Sequence, residues 1–179
     1  MTASRGLPDI GLCGLETFSA TIREVTAVSN LPVIADADTG FGEGEMVSRC
    51  VREYIFAGAA GLHIEDQQFP KRCGHLDGKT LIPIEDMSEK VKRAALARDA
   101  ADPDFIVCAR TDAAGVSGLD DAVTRATAYV DAGADMIFPE GLHSLEDFQK
   151  FSTAMGRLPN GGPLLLANMT EFGKTLCLF

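Results

Sequence analysis

The sequence predicts an α/β fold in which short parallel strands alternate with amphipathic helices. Five short apolar runs each end in a polar residue, the pattern of strands covered on both faces of a parallel sheet. Stretches with apolar residues at helical spacing separate these runs, as in βαβ units. Residues 54–65 and 129–140 also repeat one pattern, a helix ending at Ala-Gly-Ala followed by a strand ending on Glu. The repeat favours a closed βα barrel, although an open sheet fits it as well.

The elements can be placed one after another along the chain. Leu15, Phe18 and Ile22 recur at helical spacing and predict a first helix over 15–28. The apolar run that follows predicts a first strand over 31–38. The later helices have acidic residues near their starts, as the helix dipole favours. They are expected over 43–57, 85–100, 119–132 and 144–155, and the later strands over 61–65, 104–110, 135–140 and 163–168.

Chain length limits how much of a barrel can form. A complete (β/α)8 barrel takes about 250 residues, and this sequence has 179. We therefore expect a single domain over 1–179 that holds an incomplete barrel of about five βα units. The interval that follows Glu65 is about 15 residues longer than the other strand-to-strand intervals. Residues 66–82 are accordingly expected to form a loop that gates the site at the carboxyl ends of the strands.

The net charge and the cysteine content limit the classes of binding partner and the cellular compartments that we expect. The chain has 16 basic and 26 acidic residues and a net charge of −10, which argues against nucleic acid or an anionic membrane as partner. A small anionic substrate would need a bound cation or a well-placed arginine. Five cysteines without a CxxC motif, and no visible secretory signal, favour a reducing compartment. We expect the cytoplasm, or the mitochondrion in a eukaryote.

Carboxylates gather at the expected strand ends. Asp36 and Asp38 alternate on the first strand, so their side chains are expected on one face, where such a pair suits Mg²⁺. Glu65, Asp66 and Glu140 end two further strands, and so many acids around one opening would repel one another without a cation. The alternative for each of them is helix capping or simple solvation.

An arginine and a cysteine are the other candidates for chemistry. Arg110 ends the third strand, and its fork suits a carboxylate, although an ion pair with neighbouring acids is the alternative. Cys73 lies between Lys71-Arg72 and His75. Nearby positive charge lowers the pKa of a thiol and favours a reactive thiolate, whereas the alternative is an inert loop cysteine.

Five segments, in order along the chain, resemble the isocitrate lyase/phosphoenolpyruvate mutase superfamily. The most specific is Lys-Arg-Cys-Gly-His at 71–75, which is similar to the lyase branch and most of all to the 2-methylisocitrate lyases. The resemblance implies a Mg²⁺-dependent carbon–carbon lyase, with Mn²⁺ as the alternative metal, that cleaves 2-methylisocitrate to pyruvate and succinate in the methylcitrate cycle of propionate catabolism. The other segments are 36–42, 58–66, 109–112 and 168–173.

The alternatives within this resemblance are of two kinds. A related lyase would act on isocitrate, dimethylmalate or another branched 2-hydroxy diacid. The chain as it stands would otherwise be an inactive truncated domain. The resemblance itself implies a (β/α)8 TIM-barrel fold of which this chain holds strands three to seven, so we expect a fragment of a longer protein.

The resemblance also implies a role for individual residues. Asp36 and Asp38 would hold the metal, with Glu65 acting through metal-bound water, and Cys73 would be the catalytic acid/base. The partner would be a small di- or tricarboxylate, and full-length relatives are expected to be homotetramers. The residues implied to contact substrate are Gly74, Arg110, Glu140, Asn168 and Thr170.

Overall fold

A computed structural model describes residues 5–74, 76–156 and 163–166, together with the backbone of 169–171 and 174–176. Its main feature is a five-stranded sheet in which every neighbouring pair of strands is parallel. The strands lie side by side in the order in which they occur along the chain, as the βαβ pattern predicts. They are β1 (Ile34–Asp36), β2 (Gly61–Glu65), β3 (Ile106–Thr111), β4 (Met136–Pro139) and β5 (Leu164–Leu165).

Five helices connect or precede these strands, and their ends lie close to those predicted from apolar spacing. Because the parallel strands follow one another in order, right-handed crossovers place the connecting helices on one face of the sheet. The predicted α/β class and the parallel sheet are therefore confirmed. The helices are α1 (Leu15–Val28), α2 (Glu45–Phe56), α3 (Ile84–Ala101), α4 (Leu119–Asp131) and α5 (Leu145–Met155).

The last part of the described chain differs from the expectation. The fifth strand, expected over 163–168, is limited to β5, and Asn168 lies outside the described residues. Two short strands, β6 (Met169–Glu171) and β7 (Lys174–Leu176), pair antiparallel in a separate sheet. The sequence carried one signal for such a hairpin, a two-residue connection that contains a glycine. The apolar run over 163–168 predicted a single strand and did not indicate a hairpin after it.

The internal repeat corresponds to a repeated structural unit. Tyr54 on α2 and Tyr129 on α4 are both fully buried. In each copy the helix ends at a glycine with positive φ, +88° at Gly58 and +109° at Gly133. The N–H of the next residue then donates to the tyrosine carbonyl at 3.0 Å in both copies. This C-terminal motif turns the chain into β2 and β4 in the same way.

The two faces of the sheet have different characters. Leu62 and Ile64 of β2 are buried in the apolar core on the face that the helices cover. The alternate residues, His63 and Glu65, face the opposite side of the sheet, which we call the interior face. In the described part of the chain, no helix combines the length and the apolar character that a bilayer crossing requires.

Candidate active site

Strand register brings the main candidate residues together. Glu65 of β2 pairs with Arg110 of β3, and Arg110 pairs with Phe138 of β4. The Arg110 guanidinium carbon lies 5.2 Å from the centre of the Phe138 ring. His63 lies one row earlier, edge-on to the same ring with 5.5 Å between the ring centres. These side chains therefore share the interior face near the carboxyl ends of the strands.

Arg110 is the centre of a buried cluster of acids. Its Nε donates to Asp112 Oδ2 at 3.0 Å, and its Nη2 donates to Asp112 Oδ1 at 3.1 Å. Glu65 Oε2 lies 3.5 Å from Nε, and Glu140 Oε2 lies 3.8 Å from Nη1. The ion pair that the sequence left as an alternative is thus present, and Nη1 is the least engaged nitrogen of the guanidinium.

Glu65 is fully buried, and neither of its carboxylate oxygens has a hydrogen-bond partner among the described residues. Burial raises the pKa of Glu65 to about 8, against the opposing effect of Arg110 and Lys71. A buried carboxyl group without donors is costly unless it is protonated or meets a cation or water. Glu65 is therefore the side chain in the site that most needs a ligand.

Asp36 and Asp38 lie close together at the end of β1. The strand ends at Asp36, and Asp38 follows in a turn with a left-handed φ of +44°. The N–H of Asp38 donates to Asp36 Oδ1 at 2.8 Å. Strand alternation assumes an extended Asp38, and the left-handed φ departs from that, although the Asp38 carbonyl still accepts from the Glu65 N–H of β2 at 2.9 Å. A turn joins the pair instead.

Asp38 already has a cationic partner. Lys71 Nζ lies 2.8 Å from Asp38 Oδ1 and 2.7 Å from Asp9 Oδ1. Burial, and then Asp36, raise the pKa of Asp38, while Lys71 opposes that rise. Lys71 thus connects the loop at 66–82 to the turn that carries Asp38.

The donor set around Asp36 and Asp38 fits a hard divalent cation. Within the described ranges, no group of three or more His, Cys, Asp or Glu side chains could hold a metal. Mg²⁺ does not need such a group, because it takes one or two carboxylates and keeps several waters. The Asp36 side chain is 40% exposed, which leaves room for those waters. The unpartnered oxygens of Glu65 are the further observation in favour of the cation.

The loop at 66–82 is closed at its base by backbone hydrogen bonds. Gln68 N–H donates to the Thr80 carbonyl at 2.7 Å, and Ile82 N–H donates to the Asp66 carbonyl at 2.9 Å. The Gln67 side chain bonds both the N–H and the carbonyl of Arg72, each at 2.9 Å. The segment therefore has an ordered base, and its role as a gate stays a prediction.

Gly74 places the tip of this loop against the arginine cluster. A Cβ at position 74 would lie 2.8 Å from Glu140 Cδ and would also meet the Arg110 guanidinium. Only glycine allows the backbone to come so close, and the neighbouring Cys73, which is half-buried, is held beside the cluster. Lys71 bonds Asp9 and Asp38, and Arg72 donates to the Asp77 carbonyl at 3.3 Å, so the chemical role of Cys73 stays a prediction.

The other predicted substrate contacts are placed in part. Glu140 is buried at the end of β4, and its N–H donates to the Thr111 carbonyl at 3.0 Å. Thr170 lies in β6, for which the structure describes only the backbone, and Asn168 and His75 lie outside the described residues. The structure therefore brings together Gly74, Arg110 and Glu140 of the predicted set.

Sequence reasoning missed two residues of the cluster. Asp112 is fully buried and receives both bonds from Arg110. Lys79 Nζ lies 2.9 Å from Asp112 Oδ1 and also donates to the Gly74 carbonyl. The position of Asp112 two residues after Arg110 was a usable signal, whereas nothing in the sequence pattern linked Lys79 to β3.

Another buried carboxylate, Asp66, supports the cluster from the helix-covered face. It accepts from Thr111 Oγ1 at 2.7 Å, from the Tyr129 hydroxyl at 2.8 Å and from the Asp112 N–H at 2.9 Å. Arg125 Nη1 lies 3.4 Å away. Asp66 thus fixes the backbone at the end of β3.

The chain is similar to known proteins over most of its length. Residues 1–173 match the family described as phosphoenolpyruvate phosphomutase. A Corynebacterium glutamicum protein named probable 2-methylisocitrate lyase 1 is 53% identical over 178 residues, which cover 99% of this chain and 56% of that protein. The chain therefore spans a little more than half the length of this relative.

Solved structures of the same superfamily resemble the fold closely. The structure of 2,3-dimethylmalate lyase superposes with a TM-score of 0.89 at 38% identity, over 99% of this chain and 58% of that one. Phosphonopyruvate hydrolase in complex with oxalate and Mg²⁺ superposes with a TM-score of 0.79 at 33% identity, over 93% of this chain and 56% of that one.

Proposed function

The chain belongs to the phosphoenolpyruvate phosphomutase family, and from that premise we propose that its protein is a Mg²⁺-dependent carbon–carbon lyase. The proposed reaction cleaves 2-methylisocitrate to pyruvate and succinate, the step of the methylcitrate cycle in propionate catabolism. The observation that carries this choice of substrate is the 53% identity, over nearly the whole chain, to a relative of that name. The geometry of the site supports it by joining acids, an arginine and a thiol-bearing loop.

Arg110 is the cationic group that we assign to a substrate with several carboxylates. The chain as a whole carries a net charge of −10, so binding of an anion depends on groups inside the site. Arg110 Nη1 has only a 3.8 Å contact with Glu140 and is the nitrogen we assign to a substrate carboxylate. Gly74 and Glu140 line the same space, and Asn168 and Thr170 complete the proposed set.

Asp36 and Asp38 are the residues we assign to the metal, with Glu65 bound to it indirectly, through water. When bound, Mg²⁺ would hold the hydroxy-acid end of the substrate and stabilise the negative charge that develops there. The complex of phosphonopyruvate hydrolase with Mg²⁺ supports a divalent metal in this family. Mn²⁺ is the alternative metal.

Cys73 is the proposed proton donor. Cleavage breaks the bond between the hydroxyl-bearing carbon and its neighbour, so that the first carbon becomes the carbonyl of pyruvate as the hydroxyl loses its proton to a base. The electron pair of the broken bond remains on the carbon that becomes part of succinate, which then needs a proton. We assign this proton to the Cys73 thiol, and the position of the adjacent Gly74 against Arg110 and Glu140 supports that assignment. Closure of the loop at 66–82 would keep water from competing.

A chimera tests the proposal directly. This chain replaces the matching segment of the Corynebacterium relative, and pyruvate release is followed with 2-methylisocitrate, isocitrate and 2,3-dimethylmalate, each with Mg²⁺ and with chelator. We expect the highest kcat/KM for 2-methylisocitrate and loss of turnover without metal. A folded chimera that prefers another diacid would contradict the substrate, and one without turnover would contradict the lyase assignment.

The role of Cys73 needs a matched control. Cys73→Ser in the chimera is expected to lower kcat by a factor on the order of 10²–10⁴, the contribution of a general acid. Cys50→Ser alters a cysteine that is buried on α2 and belongs to the core, and it is expected to change stability without such a loss. Full activity in Cys73→Ser would exclude the proposed proton transfer.

Assembly and location complete the proposal. We propose that the full-length protein is a homotetramer in the cytoplasm, or in the mitochondrion of a eukaryote, in keeping with the superfamily resemblance and the five cysteines without a CxxC motif. Light scattering after size exclusion and fractionation of the source cells test these two points.

A further inference from the structure

Lys79 is a buried lysine that connects the loop at 66–82 to strand β3. Its side chain is 4% exposed. Nζ donates to the Gly74 carbonyl within the loop and lies 2.9 Å from Asp112 Oδ1, which follows β3. A single side chain thus bonds both the segment next to Cys73 and an acid of the arginine cluster.

Asp112 is shared between two cations. Its Oδ1 accepts from Arg110 Nη2 as well as from Lys79, and its Oδ2 accepts from Arg110 Nε at 3.0 Å. Its backbone N–H is held by Asp66 Oδ1 at 2.9 Å. Burial alone would raise the pKa of Asp112, but Arg110 and Lys79 hold it below its ordinary value. The carboxylate is therefore charged and fixed in place between the loop and the arginine.

We propose that Lys79 is a positioning residue that ties the position of segment 73–74 to the orientation of Arg110, with Asp112 as the link between them. The two bonds from Asp112 fix the plane of the guanidinium and leave Nη1 directed toward Glu140. Lys79 holds the Gly74 backbone against the same guanidinium. Segment 73–74 cannot move away without breaking the Lys79 bond to Gly74 or the Lys79 bond to Asp112. The position of this segment and the orientation of Arg110 are therefore expected to change together.

The catalytic meaning of this link rests on the proposed lyase function, but the link itself can be tested without substrate. Cys73 is half-buried in the segment that Lys79 holds, whereas Cys13, Cys50 and Cys108 are buried elsewhere. The rate of iodoacetamide alkylation at each cysteine, resolved by peptide mass spectrometry of the folded full chain, reports loop position and overall opening separately. A failure of the lyase assignment would leave this measurement unaffected.

Lys79→Met removes both bonds while keeping the length of the side chain. We expect Cys73 alkylation to accelerate about tenfold, as for loss of a charge-assisted hydrogen bond, with the rates at the three buried cysteines unchanged. Lys90→Met is the matched control, because Lys90 is equally buried but bonds the Thr39 carbonyl and Glu43 instead. It is expected to leave the Cys73 rate unchanged.

A double-mutant cycle tests the part played by Asp112. If Lys79 acts through Asp112, the Lys79→Met/Asp112→Asn variant has the Cys73 rate of the faster single variant, not the product of both effects. An unchanged Cys73 rate in Lys79→Met, equal acceleration at all the cysteines, or multiplicative effects in the double variant would each overturn the proposal. Should Lys79→Met not fold, Lys79→Gln is measured against the same outcomes.

Discussion

Two consecutive carboxyl groups at the end of β2 lie on opposite faces of the sheet and differ in their hydrogen bonding. Asp66, on the helix-covered face, accepts hydrogen bonds from Thr111, Tyr129 and the Asp112 N–H. Glu65, on the interior face, is just as buried and has no hydrogen-bond partner among the described residues. Since native proteins satisfy buried polar groups as a rule, the difference is consistent with a structural role for Asp66 and with the ligand-binding role that we propose for Glu65.

Removal of the Asp66 carboxylate, which accepts three hydrogen bonds, is expected to have the largest effect on stability. Asp66→Ala would leave the Thr111 and Tyr129 hydroxyls and the Asp112 N–H without their acceptor, and would deprive Arg125 of a buried partner. We expect the free energy of unfolding to fall by about 3–5 kcal/mol, measured by urea unfolding. Asp66→Asn, which keeps the volume and one acceptor, is the control and should cost less. Equal stability of Asp66→Ala and the parent would refute the structural role.

Glu65 should make stability depend on pH in the direction opposite to that of an ordinary ion-paired carboxylate. Burial raises the pKa of Glu65 to about 8 from its ordinary value of 4.5. The folded state therefore holds a proton that the unfolded state has lost between these values, and stability falls as pH rises through that window.

Glu65→Gln should remove this slope and raise stability at pH 8 relative to the parent by on the order of 2–4 kcal/mol. Unfolding curves in metal-free buffer at pH 5 and pH 8 make the measurement. Identical pH dependence in the two proteins would show that Glu65 is not the group responsible. Burial also raises the pKa of Asp66, so Asp66→Asn is measured in parallel to show how much of the slope belongs to that neighbour.

Added Mg²⁺ should stabilise variants altered on the two faces of the sheet to different extents. If Mg²⁺ binds at Asp36 and Asp38, it stabilises the folded state, by about 2.7 kcal/mol at a concentration 100 times its Kd. Asp36→Asn should abolish this gain, whereas Asp66→Asn should retain it, because Asp66 lies on the other face. The shift in Tm with and without Mg²⁺ checks both, and an equal gain in Asp36→Asn would place the metal elsewhere.

The sequence predicted the elements of this site better than their contacts. Alternating strands and helices followed from apolar spacing; the end of β2 at Glu65 was located correctly, and the predicted end at Arg110 lies one residue before the observed end of β3. Their pairing depends on strand register, which apolar runs do not specify. The bond from Lys79 to Asp112 joins residues 33 positions apart, and such contacts depend on tertiary packing. The left-handed φ of Asp38 replaces the extended conformation that strand alternation assumes, so the sequence indicated Asp36 and Asp38 as a pair without their backbone geometry.

The smallest expected effect distinguishes the two copies of the internal repeat. The Tyr54 hydroxyl donates to the Asp36 carbonyl at 2.7 Å, and the Tyr129 hydroxyl donates to Asp66 Oδ2 at 2.8 Å. Both side chains are fully buried, so Tyr→Phe at either position leaves packing intact. Tyr54→Phe removes one hydrogen bond and should cost about 1 kcal/mol of unfolding free energy. Tyr129→Phe also removes the 3.3 Å bond from Arg125 Nη1 and should cost somewhat more. Only Tyr54→Phe should also weaken Mg²⁺ stabilisation, since it loosens the turn that carries Asp36 and Asp38. Equal Mg²⁺ responses in the two variants would mean that this hydroxyl does not position the metal turn.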